Sequence, residues 1–158
     1  MAKAGDVELD PGEPFALAGA RAVEVRTEEL FGHADGVLDT ADVDRVHDMR
    51  VASRRLRAAL EIFAPAFPSA PFKSALSDVK ALADALGERR DPDVQLAALK
   101  ELAAAMPGVQ EPGAEALAER LRGRQVLANA ALAGALEHVE RSGLRERLLA
   151  LAGQARDA

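Results

Sequence analysis

The stretch from Val46 to Phe63 fixes both a helix and its sidedness. At about 3.6 residues per turn, Met49, Ala52, Leu56, Ala59, Leu60 and Phe63 share one side, an apolar face. His47, Arg50, Arg54 and Arg57 share an adjacent side, spaced three, four and three residues apart. Four potential cations therefore line up along roughly 15 Å of helix. Like charges at that spacing repel by roughly a few tenths of a kcal/mol per pair. A sequence shaped only for stability would alternate Glu with Arg here. Asp48 alone interrupts the run, and it projects away from the stripe. The stripe is best explained by something anionic outside the chain.

Charge distribution sharpens this reading. Between Arg45 and Arg57 there are five Arg and one Asp, a local charge of +4 in a chain whose net charge is −6, so the remainder carries −10. A basic strip on an acidic body favours a specific polyanion and disfavours a generic nucleic-acid binder, whose mark is a basic domain. The chain also has no Trp and no Tyr, which removes the usual stacking platform for single-stranded nucleic acid. With Cys absent there is no disulfide framework, thiolate metal site or Cys nucleophile. No secretory signal and no apolar run near the roughly 20 residues of a membrane span is seen, so a cytoplasmic protein is expected.

Ala and Leu dominate the 49 % of hydrophobic residues, while aromatic residues make up 3 %. That balance favours helices over strands. The expected fold is all-α: an antiparallel bundle of four long helices with a short C-terminal helix. Residues 1–13 read as a loose leader and 14–158 as one domain. Pro14 suits a first helical position, and a first helix is expected to run to about Leu38. Its seam is Ala16, Ala20, Val23, Thr27, Leu30, Ala34 and Val37, weakened late by Gly32 and Gly36. His33, just off the seam, reads as structural or solvated. Asp39, Asp42 and Asp44 resemble a calcium loop only superficially, lacking the Gly and distal Glu it needs. They read instead as an N-cap and an acidic first turn for the second helix, which stops near Pro65–Pro68.

A third helix is expected from about Ala70 to Gly87 on a seam of Phe72, Leu76, Val79, Ala83 and Leu86, with Gly87 as C-cap. Lys73 and Lys80 sit seven apart, hence on one side of it. Asp91 as N-cap and Pro92 at the first position would open a further helix to about Met106, the two acting as one bent rod. Pro107 to Gly113 reads as a loop. The last long helix is expected from about Ala114 to Arg141, on Leu117, Leu121, Ala128, Leu132, Ala135 and Val139. Arg124 projects from the middle of that arc with Arg120 beside it. An Arg there must pair, snorkel or face a polar cleft, so structural and ligand-contacting readings both stand. Residues 143–155 suit a short final helix.

The stretch His47-Asp-Met-Arg50-Val-Ala-Ser-Arg54-Arg55-Leu-Arg57-Ala-Ala-Leu60-Glu-Ile-Phe63 resembles the CHAD family, the conserved histidine α-helical domain. A second element, Leu82-Ala-Asp-Ala-Leu86-Gly87-Glu-Arg89-Arg90-Asp91-Pro-Asp93-Val94, resembles the same family's pattern in the same order. The likeness spans about residues 40–95, with weaker helical agreement to about 141. It implies a helical protein that binds inorganic polyphosphate through a basic surface. It further implies phosphate contacts from His47, Arg50, Arg54 and Arg57, and from Arg90 of the second element. Arg55 matches too, but it projects away from the stripe and is expected to pair with Asp48, Glu61 or a neighbouring helix. Lys73, Lys80, Arg120 and Arg124 join the candidate site on helical projection alone. Family domains usually hold two similar helical halves, whereas this chain has one His-x-x-Arg copy and about half the usual length. His138-Val-Glu-Arg141 keeps the first spacing, but Ser142-Gly143 and Glu146 break what should follow. A homodimer that rebuilds the missing half is the resulting expectation.

Polyphosphate offers dense charge and no base edges, so rows of Arg and Lys are what its receptor needs. No catalytic or metal-ligating constellation, and no cofactor motif, accompanies His47: Gly-rich phosphate loops, Ser-x-Gly nucleophile settings and His-Glu pairs are lacking. Binding without catalysis is expected, in the cytoplasm and at polyphosphate granules. The alternative is a helical interaction or nucleoid-associated module for other polyanions. The plainest alternative has the Arg row neutralised by acidic residues of its own chain.

Overall fold

The computed structural model describes residues 4–106 and 111–157. They form five α-helices and no strand: α1 (Phe15–Gly32), α2 (Val43–Ile62), α3 (Ser69–Ala105), α4 (Glu111–Arg141) and α5 (Leu144–Arg156), with a 3-10 turn at Ala64–Ala66 between α2 and α3. This is the expected all-α bundle of four long helices closed by a short one. Most of the expected seam positions face the core: Val23, Leu30, Met49, Leu56, Leu60, Val79, Leu86 and Leu132 are fully buried, joined by Leu82 of α3 and by Leu144, Leu148 and Leu151 of α5. Burying one such side chain is worth about 1.5–3 kcal/mol, so the seams rather than intrinsic propensity hold the helices.

Helices α1 to α4 run antiparallel, each to the next. Phe15 at the start of α1 meets Phe63 just past the end of α2, with ring centroids 5.0 Å apart. The approach is close at Gly19, where a Cβ would lie 2.9 Å from Phe63 Cβ. Helix α5 folds back along α1 and is fastened by three arginines. Arg145 bonds Glu28 (2.6 Å), Arg156 bonds Glu24, and Arg147 reaches α3 at Asp78 and Ser74. Residues 4–13 carry no helix and lie along α1, where Arg21 donates to the Glu8 carbonyl (2.6 Å) and Arg26 to that of Gly5 (3.0 Å).

Several boundaries depart from the sequence expectation. Helix α1 ends at Gly32, not near Leu38, and Pro14 is its N-cap rather than its first residue. A helix could not have run through to Leu38, because Gly36 takes a φ of +69° that no continuing helix can adopt. Arg45 lies over that glycine, donating to the Asp35 carbonyl (3.0 Å) and bonding Asp42 (2.9 Å). Asp42 does stand at the N-cap of α2, but its carboxylate is given to Arg45 and caps nothing.

The two helices expected over 70–87 and 91–106 are one, α3, with Pro92 inside it. Gly87 is not a C-cap, nor Asp91 an N-cap. An internal Pro costs one backbone hydrogen bond and about 3 kcal/mol. Here it is buried, and the turn is bridged from Arg89 to Asp93 (2.6 Å). Helix α4 begins at Glu111, so the expected loop loses residues 111–113 to helix; residues 107–110 lie outside the described residues. Beyond Asp93, α3 has no fully buried residue, and among the described side chains of α4 before Leu132 only Ala118 and Leu121 are buried. Leu117, expected in the seam, is exposed. The distal halves of α3 and α4 thus extend as a two-helix arm beyond the core.

Candidate functional site

The basic stripe forms because the apolar face of α2 is clamped inward. With Met49, Ala52, Leu56 and Leu60 buried, the adjacent side must look out: Arg54 and Arg57 are exposed, His47 and Arg50 half-buried. Two contacts fix how α3 lies beside it. Lys80 Nζ and Arg57 Nε share Glu61 Oε1, at 3.4 and 3.0 Å. Seven residues back along α2 and seven forward along α3, a Cβ on Gly87 would lie 3.9 Å from Arg50 Nε. In that antiparallel register His47 comes level with Arg90. The structure therefore brings His47, Arg50, Arg54, Arg57, Lys80 and Arg90 to one α2–α3 edge. Lys73 lies one heptad before Lys80 on the same side of α3, exposed.

The edge is only partly neutralised. His47, Arg50, Arg54, Lys73 and Arg90 make no ion pair with the described residues. Glu61 is the carboxylate that pairs with Arg57 and Lys80. Its carboxyl is held below the usual value of 4.5, first by the Arg57 hydrogen bond and then by Lys80. Asp84 and Asp91 fall four residues after Lys80 and Gly87, on the same side of α3, and temper the field there. Arg55 leaves the strip, as its projection suggested. It pairs with Glu29 of α1, a neighbouring-helix partner, and Arg26 binds the same carboxylate at 2.6 Å.

Arg120 and Arg124 do not join this edge. They lie on the arm, both exposed; Arg124 reaches only Gln95 Oε1 at 3.5 Å, and Arg120 pairs with no described residue. The seam position of Arg124 is tolerable because the arm buries so little. His33 closes α1 with its backbone N–H and stands apart from the strip.

One polar cluster escaped the sequence reading. Arg89 is wholly buried; it bonds Asp93 Oδ1 (2.6 Å) and donates Nε–H to Asn129 Oδ1 of α4 (3.0 Å). Gln125 of α4 donates to the same Asp93 oxygen (2.6 Å), and Asn129 donates to the Leu38 carbonyl (3.1 Å). The sequence signal was the i, i+4 Arg–Asp spacing across Pro92, read there as a helix boundary.

Fold and edge together define a class: an all-α bundle with a basic seam between two antiparallel helices. No described helix is long and apolar enough to cross a membrane. The CHAD domain family model matches residues 21–158, nearly the whole chain, and the protein belongs to the CHAD domain family. The match takes in α1 from Arg21 onward and all of α5, well beyond the stretch where the motifs lie. No curated protein and no solved structure matches.

Proposed function

We propose that this protein binds inorganic polyphosphate along the α2–α3 edge, without catalysis. The observation that carries the reading is that His47, Arg50 and Arg54 show no salt bridge among the described residues. If the row served the fold, those groups would meet carboxylates of the chain, as Arg55, Arg145, Arg147 and Arg156 do. Arg50 and Arg54 can each clamp two phosphate oxygens, while Lys73 and Lys80 act as point charges. Arg90, level with His47, extends the row at one end. Arg57 and Lys80 exchange Glu61 for phosphate, an exchange that exposed pairs make cheap. Arg55 is withdrawn from the proposed contacts by Glu29, and Arg120 and Arg124 are assigned to a secondary, arm-borne position that a long polymer could reach after leaving the edge.

Membership of the CHAD family supports polyphosphate over other polyanions, and the scarcity of aromatic rings supports it over single-stranded nucleic acid. Placement in the cytoplasm, at polyphosphate granules, follows from the ligand. The test is capture on immobilised polyphosphate across a salt series with duplex DNA as competitor. Retention that falls steeply with salt but resists DNA supports the reading; displacement by DNA at equal phosphate favours a nucleoid-type role.

The proposal includes a homodimer. Its support is the exposed apolar surface of the arm, with Leu102, Leu117, Val126 and Leu127 each at least 44 % exposed. Leu127 follows by four residues Gly123, above which a Cβ would meet nothing within 4 Å. A two-fold pairing of α4 with its copy sets each Leu127 over the other chain's Gly123, the reciprocity an isologous contact needs. Light scattering that returns a monomer with and without polyphosphate removes this part.

A further inference from the structure

We infer that the buried Arg89–Asp93–Asn129–Gln125 cluster is the positioning element for the His47 end of the strip, an assignment that rests on the polyphosphate reading. The chemistry of the partners fixes the Asn129 amide: a guanidinium can only donate, so it takes Oδ1, and a carbonyl can only accept, so it takes the N–H of Nδ2. The carbonyl is that of Leu38, 91 residues away in sequence. Leu38 lies in the connection between α1 and α2, and α2 begins at Val43, four residues before His47. Asn129 thus ties the approach to α2 directly to the rod that carries Arg90.

Two further features indicate position rather than stability. Arg89 Nη2 and Asp93 Oδ2 are buried without a hydrogen-bond partner. An apolar pair of similar volume would hold α3 to α4 at least as firmly. What the ionic cluster adds is direction. Turning Arg89 inward sets the rotation of α3, and so turns Arg90, one residue on, toward the α2 side. Asn129 holds the loop at the same level, where His47 and Arg90 must meet one ligand.

The experiment compares the full chain with Asn129→Leu, which removes both bonds, and Asn129→Asp, which keeps the acceptor for Arg89 but loses the donor to Leu38. Calorimetry with tripolyphosphate at two pH values is paired with hydrogen exchange of residues 36–42 in the free protein, and Arg54→Ala tests the underlying reading. Expected are faster exchange at 36–42 in both variants, affinity lower by about tenfold, the loss of one charge-assisted contact, and a flattened pH dependence at unchanged helix content. Should Asn129→Leu fail to fold, the milder Asp variant carries the same comparison. Unchanged exchange at 36–42 overturns the latch whether or not polyphosphate binds. Faster exchange with parental affinity and pH profile overturns its role in positioning. Loss of the Arg54 effect, or of binding by the parent, overturns the polyphosphate reading instead.

Discussion

Replacing Arg89 by Met tests how the core of the α3–α4 pair is built. Both Arg89 and Asp93 side chains are fully buried, 2.6 Å apart, and the bridge spans a proline that has already cost the helix a hydrogen bond. Removing the guanidinium leaves a desolvated carboxylate with Gln125 as its remaining donor. Breaking a buried pair from one side costs about 3–5 kcal/mol. For a chain of this size each kcal/mol lowers the melting temperature by about 2–4 °C, so Arg89→Met should melt roughly 10 °C lower. The double variant Arg89→Met, Asp93→Leu should recover most of that, because it removes the stranded charge as well. Thermal and urea unfolding followed by circular dichroism reads both. The reasoning is refuted if Arg89→Met unfolds within about 1 kcal/mol of the parent, or if the double variant is no better than the single one.

Three other outcomes follow from the same geometry. Glu61→Gln frees Arg57 and Lys80 and should tighten polyphosphate binding by about two- to fivefold in low salt, an effect that shrinks as salt rises; weaker binding would mean that Glu61 orients the cations rather than competing for them. Because Arg57 and Lys80 depress the Glu61 carboxyl, its pairing is present above the ordinary carboxylate value and lost only as pH falls through the lowered one. His47→Gln should weaken binding and flatten any gain in affinity on acidification, read in a calorimetric pH series. Gly19→Ala should destabilise the fold by about 1–3 kcal/mol in urea unfolding, since its Cβ would press on Phe63, already packed against Phe15.

Much of this was legible in the chain. The seam of α2 and the outward stripe follow from spacing alone, because a helix has only one way to set Leu56 and Leu60 inward. The antiparallel bundle was expected as well, but not its helix lengths: α1 stops at Gly32 and α3 runs unbroken to Ala105. What sequence periodicity could not show was rotation between neighbours. It placed Arg124 on a seam without showing that the arm has little core to offend. It also read Gly87 and Pro92 as punctuation, whereas the Arg89–Asp93 bridge and the braces from Gln125 and Asn129 carry the helix through. Arg89 itself was hidden by its type: a charged residue in a run of charges reads as surface until its α4 partner Asn129, 40 residues away, is known. Partners also decide which charges are useful controls. Arg145 and Arg147 fasten α5, so Arg141, exposed, and Arg122, paired only at the surface with Glu115, are the cleaner residues to change.

The most direct test is calorimetric titration of long-chain polyphosphate, at physiological ionic strength, into the parent, an Arg50, Arg54, Arg57→Ala variant, and an Arg122, Arg141→Ala variant. Saturable binding by the parent and the surface control, with none by the stripe variant, is the predicted result. Equal losses in the two variants, or no saturation by the parent, would contradict the claim that α2 holds its cations open for this polymer.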